Sequence, residues 1–245
     1  MTEPVYQRRI DKHQVESIHL QERRAIKVYV PPGYTDRRAY PVLYLQDGED
    51  YFRFGRIATT ANRLIRERRI QPLLIAGIPV ERARRLEEYS PAGARFRQYQ
   101  LFLLNEIIPY MDRVYATIPA ARGRVIGGSS LGATQALMTA IQSPHTFRAV
   151  LSQSGAFHPE MHAWLRQNGR NAPLDVYQTV GIHEAPAETP GGRLNILEWN
   201  RQVAQILREC GIKVCFQVKE GGHDWGFWQQ DLPDALAYLF PMAEV

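Results

Sequence analysis

The chain has 245 residues, 44% of them hydrophobic and 22% charged, with a formal net charge of +5; this is an ordinary balance for a globular protein and enough length for one sizeable core. The excess base is nearly all arginine, scattered in pairs such as Arg8-Arg9, Arg23-Arg24, Arg37-Arg38 and Arg68-Arg69, so no basic arm or aromatic-basic stripe points to nucleic acid. No stretch approaches the roughly 18 apolar residues of a membrane span, no apolar signal core follows the N-terminus, and Cys210 and Cys215, the only cysteines, form neither a disulfide framework nor a zinc site.

In chain order, residues 15–21 alternate loosely, "RRAIKVYVPPGY" alternates and stops at Pro-Pro-Gly, and "YPVLYLQDG" is an apolar run ending in Asp-Gly; all three read as strands. The rhythm then changes. Residues 57–69 have helical spacing, "PLLIAGIPV" is a continuous apolar run, and "QYQLFLLNEIIPYMDRVY" is amphipathic. "RVIGG" reads as a strand and "LGATQALMTAIQ" as the helix after it. The remainder alternates in the same way: strand "FRAVLSQSG", helix 161–167, strand "DVYQTVG", loop "HEAPAETPGG", helix 194–210, strand "KVCFQVKEGG" and a last helix after Trp225. Buried apolar runs alternating with helices predict an α/β fold, a mostly parallel sheet with helices on both faces. The first strands suit antiparallel pairing at one edge, with residues 1–24 as an edge segment. No repeat or linker divides residues 1–245, so one domain is expected.

Ligands of such sheets bind beyond the carboxyl ends of the strands, which directs attention to the turns there. "RVIGGSSLGAT" is a strand-to-helix corner with two serines. In a nucleophile elbow, G-x-S-x-G, small residues flank the nucleophile because the turn is sharp and helix and strand pack closely. Ser130 has Gly128 before it and Gly132 after it, whereas Ser129 has Leu131 at the second flanking position. Ser130 is therefore the candidate nucleophile, and the competing reading is a serine that caps a Gly-rich helix start.

A serine hydroxyl needs a general base. Of the seven histidines, His223 in "KEGGHDWGFW" lies on a glycine-rich loop after the last strand, with aromatic residues to anchor it. The third member should be a carboxylate after a strand between serine and histidine, the chain order of α/β hydrolases. Glu184, just after "DVYQTVG", fits. Asp175 is at the wrong end of that strand, Asp224 adjoins the histidine, and Glu188 and Glu198 lie farther along. Oxyanion donors are expected from the backbone N–H of Leu131 and from that of Gly48 or Glu49 in "YLQDGEDYF", with Asp47 shaping that turn through its side chain.

The blocks "VPPGY", "YPVLYLQDGEDYF", "RRLEEYSP", "GGSSLGA", "LSQSGAF", the "GIHE" turn and "GGHDWGFW" resemble the esterase group of α/β hydrolases that includes enterochelin esterases, esterase D-type enzymes and feruloyl or acetyl-xylan esterases. The resemblance runs from about residue 25 onward and is strongest to the catalytic part of the siderophore esterases. It implies the α/β-hydrolase fold, Ser130 as nucleophile, His223 as base and Glu184 as acid. The expected activity is hydrolysis of a small-molecule ester of siderophore, aryl or sugar type through an acyl-enzyme, without metal, cofactor, nucleic acid or membrane, in the cytoplasm. Acyl transfer on the same fold and a non-catalytic binding protein are the alternatives. Arg84 and Arg85, after "LLIAGIPV", together with Trp225, are expected to bind substrate, and the arginines to favour anionic esters. Pairing of these arginines with Glu81, Glu87 and Glu88 is the competing reading.

Overall fold

The computed structural model describes residues 8–184, 187–189 and 192–242. The chain opens with strands β1 (Arg9–Ser17), β2 (Glu22–Val30) and β3 (Val42–Leu45), then helices α1 (Gly48–Arg53) and α2 (Ile57–Arg66). Strand β4 (Leu74–Gly77), a short 3-10 turn at Arg82–Arg84 and helices α3 (Arg85–Tyr89), α4 (Phe96–Phe102) and α5 (Ile108–Val114) follow. Next come β5 (Arg124–Ser129), α6 (Leu131–Gln142), β6 (Ala149–Gln153), α7 (Met161–Asn168) and β7 (Asp175–Gly181). The last elements are a hairpin of β8 (Ala187–Thr189) and β9 (Gly192–Leu194), then α8 (Ile196–Glu209), β10 (Lys213–Lys219) and α9 (Trp225–Leu239).

Eight strands form one sheet in the order β1-β2-β4-β3-β5-β6-β7-β10. β1 pairs antiparallel with β2 and β2 with β4; every later pairing is parallel. This is the expected mixed sheet, with its antiparallel strands at one edge. The central strands read as continuous apolar runs because both their faces are covered. Alternate residues divide between two cores: Val42, Tyr44, Leu74, Ala76, Ile126 and Val150 face one, and Leu43, Leu45, Ile75, Val125 and Leu151 face the other. The first core is closed by residues of α4 to α8, such as Phe102, Met111, Leu137, Leu165 and Val203. The second is closed by α2 and α9 through Ile57, Leu64, Leu232 and Leu236.

Three elements depart from the sequence reading. β1 ends at Ser17 instead of running on to residue 21. The Ser17 hydroxyl accepts the Leu20 N–H, Glu106 accepts those of Ile18 and His19, and Gln21 turns the chain with φ 55°. The amphipathic stretch around residues 98–115 is two helices joined by a π-helical turn at Leu103–Ile107. Pro109 in the first turn of α5 has no N–H to donate to the preceding turn, and the π-turn absorbs that break. The loop "HEAPAETPGG" contains the β8–β9 hairpin, and its residues 185, 186, 190 and 191 lie outside the described residues.

Candidate functional site

Because β5, β6, β7 and β10 run parallel as neighbours, their carboxyl ends bring three turns together. Ser130 directly follows β5, Glu184 lies three residues beyond β7, and His223 four beyond β10.

Ser130 has φ 54° and ψ −125°, a conformation that costs a non-glycine residue about 1–3 kcal/mol. The surroundings hold it there. Its N–H donates to the Gln153 carbonyl at 2.9 Å, and its own carbonyl accepts the Ala156 N–H at 3.1 Å. The flanking glycines are required by space: a Cβ on Gly128 would lie 2.5 Å from the Gly132 carbonyl carbon, and one on Gly132 would lie 2.8 Å from Asp47 Oδ2. Ser129, by contrast, is the last residue of β5, paired with Gln153 across the sheet and buried.

His223 Nε2 lies 2.9 Å from Ser130 Oγ, and His223 Nδ1 lies 2.6 Å from Glu184 Oε2. An ionised carboxylate only accepts, so Nδ1–H donates to Glu184 and Nε2 presents its lone pair to the serine hydroxyl. The Glu184 side chain is fully buried, whereas that of His223 is 36% exposed. A buried carboxylate needs donors. Oε1 of Glu184 receives the Ser154 hydroxyl at 2.6 Å and the Gly181 N–H at 2.8 Å. Trp228 Nε1 donates to Ser154 Oγ at 2.8 Å, and the Trp228 ring stands edge-on to His223 at 5.1 Å. The aromatic anchor expected after "GGHD" is thus Trp228. Trp225 instead packs edge-on against Tyr51 and Trp228, at 4.9 and 5.0 Å.

The other carboxylates have other partners. Asp224 caps α9 by accepting the Phe227 N–H, Asp175 pairs with Lys213, and Glu198 lies beside Arg201 and Gln202 on α8. The Glu188 side chain falls outside what is described.

The Leu131 N–H opens α6, where a helix leaves its first amides without intrahelical acceptors. In the loop after β3 the Gly48 N–H donates to the Ile78 carbonyl at 2.9 Å. Gly48 is therefore engaged, which removes it as an oxyanion donor. The Glu49 N–H, in the first turn of α1, has no protein acceptor among the described residues. Asp47 sits in the left-handed region (φ 52°) with no side-chain cap to α1, contrary to the turn role expected of it. Its carboxylate takes a two-pronged hydrogen bond from Arg85, with Nε–Oδ1 and Nη2–Oδ2 both 2.8 Å. Arg85 also reaches toward the Ser129 carbonyl at 3.5 Å and lies over the Tyr89 ring at 5.4 Å. Tyr89 in turn accepts the Asp47 N–H at 3.0 Å. Burial works against the Arg85 charge, but Asp47 outweighs it and raises the guanidinium pKa. Arg84 pairs with Glu22 at 2.8 Å and lies 3.7 Å from Glu81. Both arginines thus pair with carboxylates of the chain, and Glu81 beside Arg84 is one of the partners that the competing reading expects.

Ser130, Glu184 and His223 open on a cleft of about 230 Å³ that is also lined by Ala156, His158, Leu194, Ile196 and Trp199. Among the described residues no cluster of three or more His, Cys, Asp or Glu is placed to hold a metal, and no helix is long and apolar enough to cross a membrane.

Sheet order, elbow and the aligned serine, histidine and carboxylate define the class, an α/β hydrolase. The family model described as "Putative esterase" matches residues 17–239, and the chain belongs to that family, whose enzymes act on carboxylic esters. It is 33% identical to the "Uncharacterized protein YjcH" of Bacillus subtilis over 222 residues, covering 90% of this chain and 92% of that one. It is 26% identical to the Iron(III) salmochelin esterase of Escherichia coli, covering 88% of this chain and 54% of that protein. A ferulic acid esterase structure superposes with a TM-score of 0.78 over 96% of this chain and 98% of that one, at 21% identity.

Proposed function

We propose that this esterase hydrolyses a small-molecule ester through an acyl-enzyme on Ser130, with His223 as base and Glu184 as acid. The observation that carries the reading is the unbroken line Ser130 Oγ–His223 Nε2 (2.9 Å) and His223 Nδ1–Glu184 Oε2 (2.6 Å) at a strained elbow. His223 Nε2 takes the hydroxyl proton as Oγ bonds to the ester carbon. The carbonyl oxygen becomes an oxyanion facing the N–H groups of Leu131 and Glu49. Collapse breaks the bond to the alcohol oxygen, which receives the proton from Nε2. Water then adds to the acyl-enzyme by the same proton path, releasing the acid and restoring Ser130. The names of the relatives, a salmochelin esterase and a ferulic acid esterase, keep siderophore and aryl esters within the substrate range.

A fluorophosphonate probe tests this directly. Mass spectrometry of the labelled peptide should place the adduct on Ser130, and the same preparation should release p-nitrophenol from p-nitrophenyl acetate. An unlabelled chain, or a label on another residue, would sink the reading.

Within it, Asp47 and Arg85 are positioning residues. Their ion pair ties the loop that carries Glu49 to the carbonyl side of the elbow. Asp47→Asn removes one prong and the charge, so the two oxyanion donors lose their fixed spacing. A drop in kcat of about 10-fold or more with KM little changed is expected, since small misplacements of a catalytic group are costly. Arg85→Lys should lower kcat in the same way, because a lysine cannot donate in a planar fork. Equal changes in kcat and KM, with unaltered kcat/KM, would contradict a role in the transition state.

A further inference from the structure

A second hollow adjoins the cleft. It is a groove of about 380 Å³ whose lining includes Leu86, Leu131, Met138, Met161 and Trp164. Ala156 and His158 line both hollows, so the groove and the cleft meet at these two residues. Leu86, on its rim, is 69% exposed. An exposed leucine beside a methionine- and tryptophan-lined groove marks a surface that accepts an apolar group. The only charged residue among the described lining is Glu160.

The chemistry proposed above decides which part of an ester lies there. At the tetrahedral carbon one direction is taken by Ser130 Oγ and one by the oxyanion. The leaving oxygen must face His223 Nε2 to receive its proton. His223 lines the cleft and not the groove, so the alcohol occupies the cleft, against Ile196 and Trp199. The remaining substituent, the acyl chain, leaves past Ala156 toward Leu131. We infer that the groove is the acyl subsite, and that the enzyme selects esters of bulky, uncharged aryl or alkyl acids. This rests on the ester-hydrolase reading. The acidic rim at Glu160 and the pairing of Arg84 and Arg85 replace the anionic preference expected from the sequence.

The test holds the alcohol constant and varies the acid: p-nitrophenyl acetate against p-nitrophenyl 3-phenylpropanoate, in the parent, Ala92→Trp and Trp164→Ala. Ala92 is an exposed groove residue, so tryptophan there fills the groove from its mouth without disturbing the core. Trp164→Ala removes one wall. In the parent the 3-phenylpropanoate should have the higher kcat/KM, and each variant should lower the ratio of the two esters about 10-fold, the scale of discrimination in apolar pockets. A parent that turns over acetate with a ratio unmoved by either variant overturns the acyl subsite alone. The same holds if the variants change instead the dependence on alcohol size in a series of acetates. A parent that turns over neither ester overturns the hydrolase reading and the subsite with it.

Discussion

Ser130→Ala is expected to lower kcat on an activated ester by about 10³-fold or more, whereas Ser129→Ala should cost far less. The two serines are adjacent and chemically identical, so the contrast isolates geometry. Ser130 carries the positive φ that lifts its hydroxyl out of the sheet to within 2.9 Å of His223 Nε2. Ser129 ends β5 in extended pairing with Gln153 and is 1% exposed. Truncating Ser129 leaves the elbow's backbone contacts in place, namely Ser130 N–H to Gln153 and Ala156 N–H to Ser130. Stopped-flow release of p-nitrophenol measures both variants. Equal losses, or a larger loss at Ser129, would overturn the assignment.

Glu184→Gln should reduce kcat by about 10²-fold or more, with the fold intact. The reason lies in what surrounds the carboxylate. Oε1 accepts from Ser154 and from the Gly181 N–H. A glutamine must keep its carbonyl oxygen on that side, because two donors point at it. Its amide nitrogen then faces His223 Nδ1 and donates to it. The imidazole is driven to the tautomer with its proton on Nε2, which cannot accept from Ser130. The imidazolium also loses its counter-charge. Asp224→Asn serves as the control: that side chain caps α9 through the Phe227 N–H, so its change should affect thermal stability more than rate. A near-normal Glu184→Gln enzyme, or an Asp224→Asn enzyme as impaired in turnover as Glu184→Gln, would transfer the role.

Much of the site is legible in the sequence because its information is local. The elbow is encoded by two glycines, Gly128 where a Cβ would strike backbone at 2.5 Å and Gly132 where it would press on the Asp47 carboxylate at 2.8 Å, and spacing alone distinguishes Ser130 from Ser129. The places of Glu184 and His223 follow from a chain order and from apolar runs that mark where strands end. What stays hidden consists of contacts between distant segments. The "LSQSG" block contains Ser154, yet nothing in its composition gives that residue its φ of 49° or sets its hydroxyl between Trp228 and Glu184. The Arg85–Asp47 pair spans 38 residues, whereas Glu81, Glu87 and Glu88 are the carboxylates near Arg85 along the chain. The engagement of Gly48 depends on Ile78, the residue after β4, lying alongside the loop after β3. Short helices such as α1 and α3 have too few residues to show a period.

The order of the parts along the chain bears on how the protein is made. Ser130, Glu184 and His223 come from successive segments, and the strand that presents His223 is the outermost of the parallel strands. During synthesis the strand before Ser130 and the helix after it leave the ribosome long before residue 223 does. The nascent chain therefore carries a serine with neither base nor counter-ion, an ordinary alcohol with no power over the esters around it. On the proposed mechanism the serine gains its base only once β10 has paired with β7 and His223 stands beside it. A ribosome that stalls before residue 223 releases a chain that cannot be acylated by this route.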